Sequence, residues 1–248
     1  MDKKIIDTFI QKYYLGGTLE QVRWLSKDGT LNVTAITSDK KFLTSVTLKK
    51  FDGFEDAEVG VLETTRLKQM MTALSDKVDF SLVKDDEDEN RFTSMTISDD
   101  KTEVQYVVAD LDVLPKRPHT KTIPEYNVEI KLSEEFIGKF LKAKAALPEV
   151  DLFTLVMSKK KNKLEMVLGF SENTNNNRIA LEVDAVKGKD KVKAPISFSA
   201  KVLKEIISAN DECKNPVLKI AEDGLAYIEV DQDDFNSQYY LVKIDVED

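Results

Sequence analysis

The spacing of apolar residues predicts four amphipathic helices, which cover residues 2–14, 64–75, 133–147 and 200–210. In each window apolar side chains recur every three or four positions, as a helix with one buried face requires. In the first window, Ile6, Phe9 and Tyr13 fall on one side. The predicted starts, near residues 3, 64, 133 and 200, are 61, 69 and 67 residues apart. A recurring spacing of this kind indicates an internal repeat.

Between the helices, apolar and polar positions alternate with a period of two, which predicts strands. Asp28-Gly29 is a strong hairpin signal between the first two strands. The strands predicted in the first half are 22–27, 30–37, 42–49, 57–62, 78–84, 91–98 and 102–109. Those predicted in the second half are 127–132, 150–158, 163–170, 178–184, 195–198, 216–221, 225–230 and 237–244. Each helix is followed by three strands and a joining strand, so the pattern predicts an α+β fold of duplicated βαβββ-type units. The alternative is an α+β protein without a repeat, in which the similar spacings are accidental.

A proline-rich stretch near the middle of the chain separates the two halves. Residues 111–126 hold three of the six prolines and the only histidine, His119. Proline lacks the N–H of a sheet ladder and pushes the preceding residue towards extended conformations, so this stretch is predicted to be an extended linker. The predicted organisation is one domain at 1–110, the linker at 111–126 and a similar domain at 127–248.

Composition narrows the class of protein. The 248 residues are 42% hydrophobic and 33% charged, as in globular proteins. No apolar run is long enough to span a bilayer, so no membrane association is expected, and we see no signal peptide. With Cys213 as the single cysteine, an internal disulfide is excluded. Cytoplasmic location is the default expectation.

The charges are distributed unevenly between the helices and the rest of the chain. The four helix windows carry net charges of +1, +2, +1 and +1, whereas the whole chain carries −9. On a helical wheel Lys139, Lys142, Lys201 and Lys204 point away from the apolar stripe, while Lys144 lies close to it. For one helix, an ordinary solvated face explains this. Four net-positive helices in an acidic chain favour binding of a polyanion on one side.

No catalytic or metal site emerges from the sequence. His119 has no evident carboxylate partner, and no histidine lies near Cys213 to activate its thiol. Phosphate-loop, dinucleotide and HExxH motifs are absent. The acidic run at 85–89 lacks the spacing and glycine of an EF-hand, so it is interpreted as a solvated turn. We therefore expect no catalytic residue, no cofactor and no bound metal.

Short motifs around the linker and near the C-terminus carry a family resemblance. They are Leu111-Asp112-Val113, Ile123-Pro124-Glu125 followed by Tyr126, and Tyr239-Tyr240-Leu241. Together with the fourfold repeat, they resemble proliferating cell nuclear antigen, a DNA polymerase sliding clamp. The short, lysine-rich chain looks most similar to the clamps of large tailed phages or other viruses. The resemblance implies a non-catalytic homotrimeric ring that encircles duplex DNA, tethers a DNA polymerase and is opened by an ATP-dependent clamp loader. In a virus it would act in the host cytoplasm.

The resemblance also implies roles for individual residues. The DNA-facing set is Lys3, Lys4, Lys12, Arg66, Lys68, Lys139, Lys142, Lys144, Lys201 and Lys204. The set for a partner-peptide pocket beneath the linker is Phe42, Leu43, Ile123, Pro124, Leu225 and Tyr240. The set for strand pairing between subunits is Val104, Tyr106, Val108, Ile179, Leu181 and Val183.

The chain departs from the family pattern in three places: it begins with a helix instead of a strand, Lys121 replaces an apolar linker residue, and Val242-Lys243 replaces Ala-Pro. Two other functions stay open. One is a monomeric scaffold or binding protein with a duplicated α+β fold. The other is an enzyme whose site is assembled from Asp and Glu residues.

Overall fold

The computed structural model describes residues 1–88, 91–118, 125–158, 162–172 and 175–245. In these ranges no helix is both long enough and apolar enough to cross a membrane. The chain divides into two units. Unit 1 comprises Met1–Thr37, Thr44–His119 and Asp231–Ser237; unit 2 comprises Ser38–Leu43, Thr120–Val230 and Gln238–Asp248. The predicted boundaries at residues 110 and 127 stay a prediction.

Unit 1 contains two helices and two antiparallel sheets. Its helices are α1 (Lys3–Tyr14) and α2 (Thr64–Met71). Its strands are β1 (Val22–Lys27), β2 (Thr30–Ile36), most of β3 (Phe42–Leu48), β4 (Ala57–Val61), β5 (Asp79–Lys84), β6 (Phe92–Ser98) and β7 (Glu103–Val107). The strand orders are β3-β2-β1-β4 and β5-β6-β7. The predicted hairpin is confirmed: Asp28 and Gly29 both have positive φ, as a tight turn between twisted strands requires.

The core of unit 1 forms where α1 packs on the first sheet. Phe9 makes an edge-on contact with Trp24, with ring centroids 5.7 Å apart. The Trp24 indole N–H donates to the Tyr13 hydroxyl at 3.2 Å, so the buried indole is satisfied. The buried Tyr13 phenol has a raised pKa, because burial disfavours its charged form.

Unit 2 repeats this plan. Its helices are α3 (Glu134–Ala146) and α4 (Ala200–Ala209). Its strands are β8 (Tyr126–Lys131), β9 (Leu152–Ser158), β10 (Lys163–Leu168), β11 (Ile179–Glu182), β12 (Asp184–Lys187), β13 (Ile196–Ser199), β14 (Val217–Ala221), most of β15 (Leu225–Gln232) and the end of β16 (Phe235–Val242). One sheet has the order β11-β10-β9-β13, and another contains β12-β8-β14-β15-β16. The α+β class, with helices on antiparallel sheets, is confirmed.

Both helices of unit 2 begin at serine caps. Ser133, the predicted cap of α3, accepts from the backbone N–H of Phe136 at 3.2 Å. Ser199 accepts in the same way from Val202 at 3.2 Å before α4. Each hydroxyl satisfies a backbone donor that has no partner inside its helix, which fixes where the helix begins.

Two local predictions need correction. The strand predicted at 178–184 ends at Glu182, and a new strand begins at Asp184 and pairs with β8 instead of β10, so the chain changes sheet at the buried Val183. The linker is not extended throughout, because Leu111–Val113 form a 3₁₀ turn capped by Asp110. Its residues 119–124 lie outside the described ranges. At the N-terminus, Asp2 and Lys77 form a single antiparallel bridge, and α1 begins at Lys3, near the predicted start.

Candidate nucleic-acid interface

Each unit contains one pair of helices in contact, α1 with α2 in unit 1 and α3 with α4 in unit 2. Their apolar sides are buried, as with Phe9 in α1, Leu67 in α2, Phe140 in α3 and Leu203 in α4. An amphipathic helix with one side against a sheet presents its opposite side outward. The charges on that opposite side therefore define the candidate interface.

Most of the predicted DNA-facing cations are accessible. Exposed side chains belong to Lys4, Arg66, Lys139, Lys142, Lys201 and Lys204, while Lys3 and Lys68 are half-buried. Lys4, Lys142 and Lys201 form no ion pair with any residue that the structure describes. These three ammonium groups are consequently the ones most available to an external anion.

The other accessible cations have acidic neighbours. Lys3 pairs with Asp7 at 3.3 Å, and Arg66 with Glu63 at 3.8 Å. In unit 2 the pairs are Lys139 with Glu135 at 2.6 Å and Lys204 with Glu205 at 3.1 Å. The hydrogen bond between Lys139 and Glu135 raises the pKa of the lysine and lowers that of the glutamate. Both groups therefore stay charged at neutral pH, and the carboxylate partly offsets the attraction for phosphate.

Two members of the predicted set are buried and need correction. Lys12 is 0% exposed, and its ammonium lies 5.3 Å from the centre of the Phe235 ring. Lys144 is also buried, and its ammonium donates to the Pro148 carbonyl at 2.8 Å beyond the end of α3. Each lysine follows a core phenylalanine by three or four residues, which places it on the buried side of the helix. Neither ammonium is on the accessible face.

A network that the sequence analysis missed fixes α2 against α1. The Glu20 carboxylate accepts from the backbone N–H of Thr65 at 2.9 Å and also from its hydroxyl, so it caps the start of α2 from a distant part of the chain. The Tyr14 hydroxyl lies 2.7 Å from the Thr65 hydroxyl. The Lys68 ammonium lies 4.8 Å from the centre of the Tyr14 ring. These contacts set the positions of Arg66 and Lys68. No local sequence motif identifies Glu20 as the cap of α2.

The predicted pocket residues do not share one face. Phe42 is buried and stacks on Tyr239 at 6.4 Å. Since neighbouring side chains of a strand point to opposite faces, Tyr240 lies on the other face of β16, together with Leu43 on β3. Phe42 therefore belongs to the core, which corrects its assignment. Leu43 and Leu225 are half-buried, and Ile123 and Pro124 lie outside the described residues.

Tyr240 belongs to a tyrosine cluster that the sequence analysis did not assemble. Tyr227 packs on Tyr240 with centroids 4.8 Å apart and on Tyr126 with centroids 5.4 Å apart and planes at 12°. Burial raises the pKa of all three phenols, that of Tyr126 to about 12. They remain neutral at physiological pH; Tyr227 and Tyr240 are buried, and Tyr126 is half-buried.

The two strands predicted to join subunits are sheet edges. Among the described residues β7 pairs only with β6, and β11 only with β10. Of the residues assigned to this pairing, Val104, Tyr106 and Val108 have buried side chains in unit 1, and Val183 is buried in unit 2. Strand pairing uses backbone groups, so the pairing between subunits stays a prediction. Ile179 and Leu181 are half-buried. The outward side chains of β7 are Glu103, Gln105 and Val107, and Val107 is 75% exposed.

The described residues contain no group of three or more His, Cys, Asp or Glu side chains that could hold a metal ion. His119 lies outside these residues, and Cys213 is a half-exposed free thiol.

Comparisons with known proteins identify the fold. No protein-family model matches the chain, and no curated protein matches it. Among solved structures, it is similar to the crystal structure of Proliferating Cellular Nuclear Antigen from Entamoeba histolytica, with a TM-score of 0.68. The match covers 98% of this chain and 96% of that chain at 16% sequence identity. The chain thus has the sliding-clamp fold, which confirms the fold predicted from the linker motifs and the repeat.

Proposed function

We propose that this protein is a DNA polymerase processivity factor, a sliding clamp that forms a homotrimeric ring around duplex DNA and tethers the replicative polymerase. The observation that carries the proposal is the clamp fold over nearly the whole chain, combined with accessible cations on the outward faces of all four helices. The second candidate, a monomeric scaffold, shares the fold but does not account for the net-positive helices of a chain with charge −9. The expected kinship with viral clamps and the cytoplasmic location stay predictions.

The DNA-facing side consists of Lys4, Arg66, Lys139, Lys142, Lys201 and Lys204, with Lys3 and Lys68 at its margins. Flexible lysines attract phosphates without reading bases, so binding is independent of sequence. Such contacts are weak and depend strongly on salt. Both properties suit a ring that must slide along the duplex.

The internal repeat suggests how the ring closes. In unit 1 the segment 231–237 lies beside β3, where the Lys49 N–H donates to the Asp234 carbonyl at 2.8 Å. The counterpart of β3 in the second half is β11, and the counterpart of β16 in the first half is β7, since each is the third strand after its helix. Among the described residues, neither β7 nor β11 has a second neighbouring strand. Pairing β7 of one chain with β11 of the next would remove these edges and cover Val107.

The proposed partner site lies around Leu43, Leu225 and Tyr240, beside the tyrosine cluster. A short peptide of the polymerase would place apolar and aromatic anchors there. An ATP-dependent loader would open the ring. The clamp itself carries out no chemistry and acts by topology.

The experiment that tests the function uses linear duplex DNA attached to beads at one end. The protein is threaded over the free end at high concentration, a bulky protein is then bound to that end, and the beads are washed at high salt. A closed ring remains on DNA with a blocked end and is lost from DNA with an open end. Equal retention on both would contradict encirclement and favour a surface-binding scaffold.

A further inference from the structure

An apolar groove of about 350 Å³ lies in unit 2 between the start of α3 and the end of α4. Its buried apolar lining comes from both helices and the sheet beneath them and includes Leu132, Ile206, Ile207, Ile228 and Val230. The buried Asn210 amide also lines it and donates to the Ile206 carbonyl and the Tyr239 hydroxyl. Ile137 and Leu141 of α3 form one wall and are only half-buried. Accessible apolar side chains above a buried apolar floor are typical of a binding groove.

In the first half of the chain, the side chains at the corresponding helix positions are fully buried. Ile6 and Ile10 are the fourth and eighth residues of α1, and both are 0% exposed. Ile137 and Leu141 are the fourth and eighth residues of α3, yet both remain accessible. Because the repeated fold can bury these positions completely, the opening is specific to unit 2.

The mouth of the groove carries two unpaired carboxylates. Glu134, in the first turn of α3, and Asp211, after the end of α4, are exposed and form no ion pair with any residue in the described part of the chain. Lys214 is the one cation among the described lining residues. The mouth is therefore net negative, which disfavours a phosphate and favours a basic side chain.

We propose that this groove docks a short segment of a partner protein, which inserts one large aliphatic or aromatic side chain and places a lysine or arginine against Glu134 and Asp211. The volume lies at the small end of ligand pockets, roughly 300 to 1,000 Å³, so it suits one anchor residue. An apolar anchor within a charged rim is a common arrangement of protein–protein contacts. The inference does not depend on ring formation or DNA binding.

Cys213 provides the test, because it lines the groove and is the only cysteine in the chain. The intact protein is equilibrated, under partly reducing conditions, with disulfides of cysteamine acylated by leucyl-arginine, leucyl-glutamate or alanyl-arginine. The mixed disulfide with Cys213 is measured by mass spectrometry. We expect leucyl-arginine to be captured about threefold or more over leucyl-glutamate, as exposed ion pairs allow, and also over alanyl-arginine because of the apolar anchor.

Two variants make the result specific. The Glu134→Gln, Asp211→Asn double variant should lose the preference for arginine and keep the preference for leucine over alanine. Ile137→Trp, which fills the groove from its accessible wall, should reduce capture of both leucine probes. Equal capture of the arginine and glutamate probes by the unaltered protein would overturn the proposal, as would an unchanged arginine preference in the double variant.

Discussion

Replacing Lys142 and Lys201 by glutamine should weaken DNA binding more than the same change at Lys139 and Lys204. All four side chains are exposed on the helices of unit 2. Lys142 and Lys201 have no ion-pair partner among the described residues, whereas Lys139 and Lys204 lie 2.6 Å and 3.1 Å from glutamates. The two double variants remove equal charge, so a difference between them does not arise from the amount of charge removed.

The magnitude follows from counterion release. Each phosphate that a cation neutralises contributes up to about 0.9 to the slope of log K against log[salt]. The Lys142→Gln, Lys201→Gln variant should therefore lower the slope by up to about 1.8 per chain. The second variant should lower it by less, because Glu135 and Glu205 already compete for the two ammonium groups. Stability should change by less than about 0.5 kcal/mol in both, since the sites are on the surface.

The assay is fluorescence anisotropy of a labelled duplex between about 50 and 200 mM salt, the range over which phosphate contacts dominate affinity. Lys27→Gln, Lys131→Gln is a matched control, because both lysines are exposed at strand ends. The control should leave the slope unchanged. A control slope that falls as far as that of the Lys142 and Lys201 variant would refute a helix-specific DNA face. A larger loss from the Lys139 and Lys204 variant would refute the pairing argument.

Three further predictions concern the framework. Tyr13→Phe leaves the buried Trp24 N–H without its acceptor and should cost about 1–3 kcal/mol of unfolding free energy in urea titration; a loss below about 0.5 kcal/mol would be contrary to this reasoning. Hydrogen bonds, first of all the one that the Ser75 hydroxyl donates, hold the pKa of the Asp99 carboxyl below its usual range. The charged carboxylate therefore stabilises the folded state above about pH 4, and this contribution is lost as the pH falls further. Asp99→Asn should therefore flatten the acid side of the stability curve, and an equally steep fall would argue against it. Arg23 donates to the linker carbonyls of Leu111, Leu114 and Pro115, so Arg23→Ala should speed tryptic cleavage after Lys116; an unchanged rate would mean that other contacts hold the linker.

The sequence predicts the repeated framework well, because its signals are local. Periodic apolar positions identify all four helices, and the Asp28-Gly29 turn identifies a hairpin. The change of sheet at Val183 has no such signal, since an alternating pattern continues through it while the pairing partner changes from β10 to β8. Which strand pairs with which is a tertiary property that one segment does not encode.

The candidate site is predicted less completely for the same reason. Net charge per helix identifies the cationic helices but does not separate the buried Lys12 and Lys144 from the exposed lysines. For Lys144 the helical wheel gives a signal, because it lies close to the apolar stripe. The alternation of β7 places Val104 and Tyr106 in the core and Val107 outside, while the strand pairing between subunits stays a prediction. The tyrosine cluster and the Glu20 cap join residues far apart in sequence and become visible only in the fold.

The native mass by light scattering across a dilution series tests the central claim most directly. A ring predicts a stable mass of three 28.1 kDa chains, which Val107→Arg at the edge of β7 should reduce towards one chain, because charge on an edge strand opposes pairing. A mass of one chain at every concentration would contradict a self-assembling ring. A mass of three chains that Val107→Arg leaves intact would contradict closure through β7.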